Sequence, residues 1–156
     1  MNPLLDLLER IRKSGIPLEK EVAEAMQQVY IGSFTDFELD PFWHDRPVPF
    51  LITDYGAAKT ISAPHMIVTL LHHLELKKNQ HVLLIGAKAG YLSALIDHIV
   101  GESGMVTIVE PHQEVLSHTE ERLEFHDSKG TIRILPVEAL ENIDVNSRGV
   151  DRVLIT

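Results

Sequence analysis

Cysteine is absent from the 156-residue sequence, which excludes disulfides and thiolate metal sites and fits a reducing compartment. The expected location on that ground is cytoplasmic. Positive charge is scarce. Fourteen Lys and Arg stand against 23 Asp and Glu, a net charge of −9, and that field repels a phosphate backbone, so nucleic acid is not an expected partner. Long apolar runs are missing too: none approaches the ~18 residues of a membrane span. The N-terminal stretch MNPLLDLLERIRKSG mixes acids, bases and leucines, unlike the basic start and unbroken apolar stretch of a secretory signal. No membrane partner is expected. Internal repeats and low-complexity tracts are also lacking. What remains, with 44% hydrophobic and 24% charged residues, is globular composition at a length suited to one unit with a real core.

The first 30 residues predict two helices broken at Gly15-Ile16-Pro17, a stop glycine followed by a restart proline. Leu4, Leu5, Leu8 and Ile11 form the apolar stripe of the first, and Val22, Ala25, Met26 and Val29 that of the second. Residues 31–61 read as irregular. They hold Pro41, Pro47 and Pro49 and the aromatics Phe34, Phe37, Phe42, Trp43 and Phe50, which either cover the core or line a peptide groove. A loop of this length is expected to have a job.

From Ser62 onward the rhythm changes. Ser62 reads as an N-cap with Pro64 just inside, and Ile67, Leu70, Leu71 and Leu74 form the buried stripe of the helix that follows. Strand-like runs at His81–Ile85, Met105–Val109, Thr131–Leu135 and 152–156 alternate with helical patterns at Tyr91–Val100 and 113–126. The alternation predicts an α/β protein, a Rossmann-like, doubly wound and mainly parallel sheet with an N-terminal helical extension. Residues 1–61 are expected to form the helices and irregular segment, 62–156 the core, and both one compact unit. Strand 81–85 should be central, between 105–109 and 151–156, with 131–135 outside 105–109. The last strand would be an apolar edge, and such an edge calls for more chain or a second subunit to cover it.

Three places could carry chemistry. Thr60-Ile61-Ser62-Ala63-Pro64-His65-Met66 sets two hydroxyls and an imidazole at a helix N-terminus, where free N–H groups and the dipole favour an anion such as a carboxylate. The plainer reading is a cap, with Ser62 serving its own backbone and His65 exposed. The turn Gly86-Ala-Lys-Ala-Gly90 follows a strand, and Glu110 ends the next strand 24 residues after Gly86, where an acid accepts hydrogen bonds from ribose hydroxyls. The plainer reading there is a surface Glu before Pro111. Of the nine histidines, His65, His72 and His73 share a helix at separations of seven and eight, not the i, i+4 spacing of a helical chelate, so no metal is expected. Glu114, Glu120, Glu121 and Glu124 read as a solvated helix face.

The TISAPHM segment resembles the substrate-side motif of the protein-L-isoaspartate O-methyltransferase family. The similarity extends to Gly15-Ile16 through Val29, to Asp45-Arg46-Pro47-Val48-Pro49 and to the run Val82 through Leu92, in register from about residue 4 to the end. It implies a class I methyltransferase core lacking the C-terminal part, with S-adenosylmethionine as cofactor and isoaspartyl-containing peptides or proteins as partners. By the resemblance Ser62, flanked by Thr60 and His65, helps hold the substrate carboxylate, and Gly86, Gly90, Tyr91 and Glu110 bind the cofactor. The motifs also depart from the family. Leu84 stands where an acid is expected, Lys88 where the middle glycine is expected, and Val137 where the adenine-contacting acid is expected, with Glu138 next to it as a substitute. Two lost polar partners would weaken cofactor binding by roughly 2–6 kcal/mol, about thirtyfold to more than ten-thousandfold. Restoring glycine at 88 and an acid at 84 is expected to strengthen it. The resemblance implies methylation of the free isoaspartyl carboxylate; a non-catalytic binding or regulatory module of the same fold, with weak or no cofactor binding, is the alternative.

Overall fold

The computed structural model describes residues 2–142 and 149–156. Helix α1 (Pro3–Lys13) starts under the side chain of Asn2, which accepts the Leu4 N–H at 2.9 Å, and it buries Leu7, Leu8 and Ile11. Leu5 is half exposed, so the stripe is rotated relative to the one expected, with Leu7 inside instead. Helix α2 (Lys20–Gln28) buries Val22, Ala25 and Met26 as its periodicity predicts.

Residues 31–61 are more ordered than the sequence suggested. A 3-10 turn (Ile31–Ser33) and the one-turn helix α3 (Asp40–Trp43) lead into an antiparallel hairpin of β1 (Val48–Ile52) and β2 (Ala58–Ile61). Its turn is closed by bonds of the Thr53 N–H to Ala57 O and the Gly56 N–H to Thr53 O, each 2.9 Å. Pro49 hid the first strand. It is tolerated because the sheet has only two strands and the register slips between Pro49 and Leu51. Phe34, Phe42 and Phe50 are buried, so these aromatics cover the core.

The second part follows the predicted order: α4 (Pro64–Leu74), β3 (His81–Ile85), α5 (Tyr91–Val100), β4 (Met105–Val109), α6 (Gln113–Glu124), β5 (Thr131–Leu135), a 3-10 segment (Val137–Asn142) and β6 (Arg152–Ile155). The sheet runs β5-β4-β3-β6 and every pairing is parallel. The central strand places Leu84 opposite Ile108 on one side and Leu154 on the other. A parallel strand covered on both faces reads as a continuous apolar run, and Val82, Leu83 and Leu84 of β3 are all buried. Helix α5 is buried nearly all round. One core cluster joins Leu8, Met26, Phe34, Ile67, Leu95 and Ile108, tying the N-terminal helices to the sheet. Parallel pairing sends the carboxyl ends of β3, β4 and β6 to one rim, and the change of direction between β3's two neighbours creates a crevice there.

Candidate functional site

At that rim lies a cleft of about 250 Å³, below the roughly 300–1,000 Å³ usual for ligand pockets. Ile85, Gly86 and Lys88 form its floor after β3, Glu110, Pro111 and His112 close one side after β4, and Thr156 follows β6. Phe50, Lys59 and Thr60 of the hairpin face them. A larger cavity, of about 560 Å³, lies elsewhere, around Tyr30, Asp97, Arg122 and Phe125. The smaller cleft is the chemically organised one, because the turn after β3 is held by the Gly86, Ala87 and Gly90 N–H groups and by the Lys88 carbonyl.

That turn is built by backbone geometry. The Gly86 N–H donates to Val109 O at 2.8 Å and the Gly90 N–H to Ala87 O at 3.0 Å. Gly86 and Gly90 take φ of +98° and +95°, a region that side chains strongly disfavour. A Cβ on Gly86 would also lie 2.4 Å from the Thr156 hydroxyl oxygen. Lys88 takes φ +53°, so a lysine sits in the left-handed conformation at the position where the resemblance places a glycine, at a strain of about 1–2 kcal/mol. Its carbonyl is held by the buried Thr119, whose hydroxyl donates to it at 2.9 Å. Thr119 has no motif to announce it; only its place on the inner face of α6 could have marked it.

Glu110 is 9% exposed and accepts the Ala87 N–H on Oε1 and the His112 N–H on Oε2, each at 2.8 Å. One carboxylate thus ties the turn after β3 to the turn after β4. A carboxylate offers about four lone-pair sites, so capacity remains for hydroxyls in the cleft.

The other sequence candidates are distributed unevenly. Thr60 lines the cleft with Gly86 and Glu110, whereas Ser62, His65, Gly90, Tyr91 and Glu138 are not among its lining residues. Tyr91 is in the core, 5.7 Å from Phe34 and 6.1 Å from Phe42 by ring centroids, and burial pushes its phenol well above the usual range. Gly90 caps α5 and packs under Leu123 and Phe34. Glu138 is exposed on the 3-10 segment with Val137. Leu84 is fully buried, so a carboxylate placed there would be desolvated among apolar neighbours, and that substitution is not a simple restoration.

Ser62 differs from its expected role in one respect. The N-cap of α4 is Ala63, without a side-chain cap, and the side-chain acceptor comes from Asp45, whose Oδ1 takes the His65 N–H at 2.8 Å and lies 3.0 Å from His65 Nδ1. The half-buried Ser62 hydroxyl makes no hydrogen bond among the described residues. His72 pairs with Glu19, and no group of three or more potential metal ligands occurs among the described residues.

A parallel sheet in this order, with a glycine turn after the central strand and an acid after its neighbour, defines a Rossmann-like α/β fold. Comparison with known proteins refines that class. The chain belongs to the protein-L-isoaspartate(D-aspartate) O-methyltransferase family, whose model matches residues 4–145. A protein-L-isoaspartate O-methyltransferase of Ignicoccus hospitalis is 35% identical over 119 residues, covering 76% of this chain and 54% of the relative. One from Aeropyrum pernix is 33% identical over 132 residues, covering 84% and 49%. The chain thus spans about half the length of the curated relatives it matches. Among solved structures, a protein-L-isoaspartate O-methyltransferase superposes with a TM-score of 0.76 at 21% identity, over 98% of this chain and 47% of the other. A Plasmodium falciparum structure described as a putative enzyme of this family, in complex with S-adenosyl-L-homocysteine, gives 0.66 at 25% identity over 85% and 62%.

Proposed function

We propose that this chain serves the S-adenosylmethionine-dependent methylation of the free carboxylate of L-isoaspartyl residues in damaged proteins, a repair reaction carried out in the cytoplasm. The observation that carries the reading is the family match from residue 4 to 145 over a cleft that joins the glycine turn, Glu110 and the substrate-side Thr60. The residues present fit the adenosyl end of the cofactor: Gly86 lets the backbone come close, and Glu110 has lone pairs left for ribose hydroxyls. When bound, the cofactor supplies an electrophilic methyl group on a sulfonium. The substrate carboxylate is ionised at neutral pH, so the protein needs no general base. Its task is to align the carboxylate and exclude water. Thr60 on β2 and Ser62 just beyond it would bind that carboxylate, with His65 flanking, while the hairpin covers the cleft.

A second reading is supported by Leu84, which is buried and apolar, and by Lys88, which occupies a glycine position: a non-catalytic module of the same fold. Titration with S-adenosylhomocysteine, followed by methyl transfer to an isoaspartyl peptide, tests both. Binding with turnover supports the enzyme; weak or absent binding without turnover supports the module, and no binding of any adenosyl ligand also removes the cofactor assignment.

A further inference from the structure

Lys88 is the one residue of the glycine turn whose backbone conformation and side chain pull in opposite directions. Its φ of +53° is the conformation a glycine would adopt without strain, and Thr119 and the neighbouring buried alanines fix it there. A non-glycine residue held in that region by its surroundings is a reason to look for function at the site. Because the backbone already follows the course a glycine would give it, the lysine is an addition to the cleft rather than a rerouting of the turn.

The charges around it are equally uneven. Lys88 and Lys59 both line the cleft, and among the described residues neither enters an ion pair. Among the described residues, Glu110 is the one side-chain carboxylate lining the cleft, and it already accepts two backbone N–H groups. Leu84, buried in β3, can offer nothing to an ammonium group.

We propose that Lys88 is a specificity-determining residue that binds the amino-acid carboxylate of the adenosyl ligand, so that this cleft recognises the ligand's amino-acid end through its carboxylate and not through its ammonium. This rests on the reading that the cleft takes an adenosyl ligand. It reverses the expectation that glycine at position 88 would improve binding. Removing the ammonium group from Lys88 leaves a ligand carboxylate without its partner, and a charge-assisted hydrogen bond of this kind is strong because both partners are ionised.

The test is calorimetric titration of the chain with three thioethers: S-adenosylhomocysteine, its analogue without the carboxylate and its analogue without the ammonium. Loss of the carboxylate should weaken binding about ten- to a hundredfold, and loss of the ammonium by less than about threefold. Lys88→Gln should weaken S-adenosylhomocysteine as much as removing the carboxylate does, and should not weaken the carboxylate-free analogue further, the coupling expected of a direct pair. Lys88→Gly should behave as Lys88→Gln in binding while raising the melting temperature, which separates loss of the pair from loss of the fold. Unchanged S-adenosylhomocysteine affinity in Lys88→Gln overturns the proposal, as does a carboxylate-free analogue that binds as tightly as the parent. Tighter binding of adenosine diphosphate than of S-adenosylhomocysteine would also overturn it, by making the lysines a phosphate site. If no adenosyl ligand binds, the cofactor assignment itself falls, and this proposal with it.

Discussion

The first turn of a helix leaves backbone N–H groups that need acceptors, and in α4 the side-chain acceptor is Asp45, twenty residues upstream of the His65 N–H it takes. Asp45 thereby fastens the approach to the hairpin onto the start of α4. Ser62 is free of that duty, so its two candidate roles can be separated by mutation. Asp45→Ala should lower stability by about 0.5–2 kcal/mol, the usual loss of a cap. Ser62→Ala should stay within about 0.5 kcal/mol of wild type, as surface substitutions away from such features do. Urea unfolding of the two variants checks both. In an active protein, Ser62→Ala should still reduce methyl transfer about a hundredfold, because a carboxylate misplaced by about an ångström loses that much rate. Full turnover in Ser62→Ala would remove its hydroxyl from the site. Asp45 could not be read as a cap from the sequence, since the bond joins residues too far apart for any local pattern. Lys88 and Leu84, by contrast, were legible as departures from a motif, though not what their backbone and burial would do.

At the scale of elements, the strands and helices from residue 64 onward were legible because short continuous apolar runs, as in β3 and β4, alternate with period-3.6 patterns where both sheet faces are covered. The hairpin was not, since Pro49 and the turn around Gly56 interrupt its short runs. The link between α5 and the connection from α6 to β5 was equally invisible. The buried Asp97 of α5 accepts the N–H groups of Lys129 at 2.8 Å and Gly130 at 2.9 Å. Burial alone would raise its pKa, but the His126 imidazole, 3.7 Å away, and these two backbone bonds outweigh that and hold it below the ordinary carboxylate range. His126 is beyond hydrogen-bond distance, so it acts as a neighbouring charge when protonated, and the backbone bonds are the fixed partners. A carboxylate whose pKa falls on folding contributes stability that is complete above the unfolded value, about 3.9, and is lost as pH drops through the folded value. Stability measured by denaturant should therefore fall as pH is lowered past about 4. Asp97→Asn should cost about 1–3 kcal/mol at neutral pH, since an amide has one acceptor oxygen for two donors, and should flatten that acid limb. An unchanged acid limb in the variant would assign the loss to other carboxylates.

The whole molecule has an asymmetry between its two sheet edges. On one side β5 is followed by the 3-10 segment; on the other, β6 pairs only with β3 among the described residues, with Val153 44% and Ile155 72% exposed. An apolar edge strand of this kind is a template for pairing with another chain, and the longer relatives, which this chain matches over about half their length, have additional chain that could cover it. Against association stands the net charge of −9, which repels like molecules over roughly the Debye length. The two effects respond oppositely to salt. Screening leaves the apolar edge intact but shortens the repulsion, from a Debye length of about 30 Å at 0.01 M to about 10 Å at 0.1 M. The chain should therefore be more monomeric in low salt and self-associate as salt rises, the reverse of an assembly held by ion pairs. Ile155→Lys places a charge on the edge, a device natural sheets use against pairing, and should keep the chain monomeric across the same range. Light scattering at fixed protein concentration over a salt series measures this directly. Association that weakens with salt would point to charged contacts instead, and equal association in wild type and Ile155→Lys would place the contact away from β6.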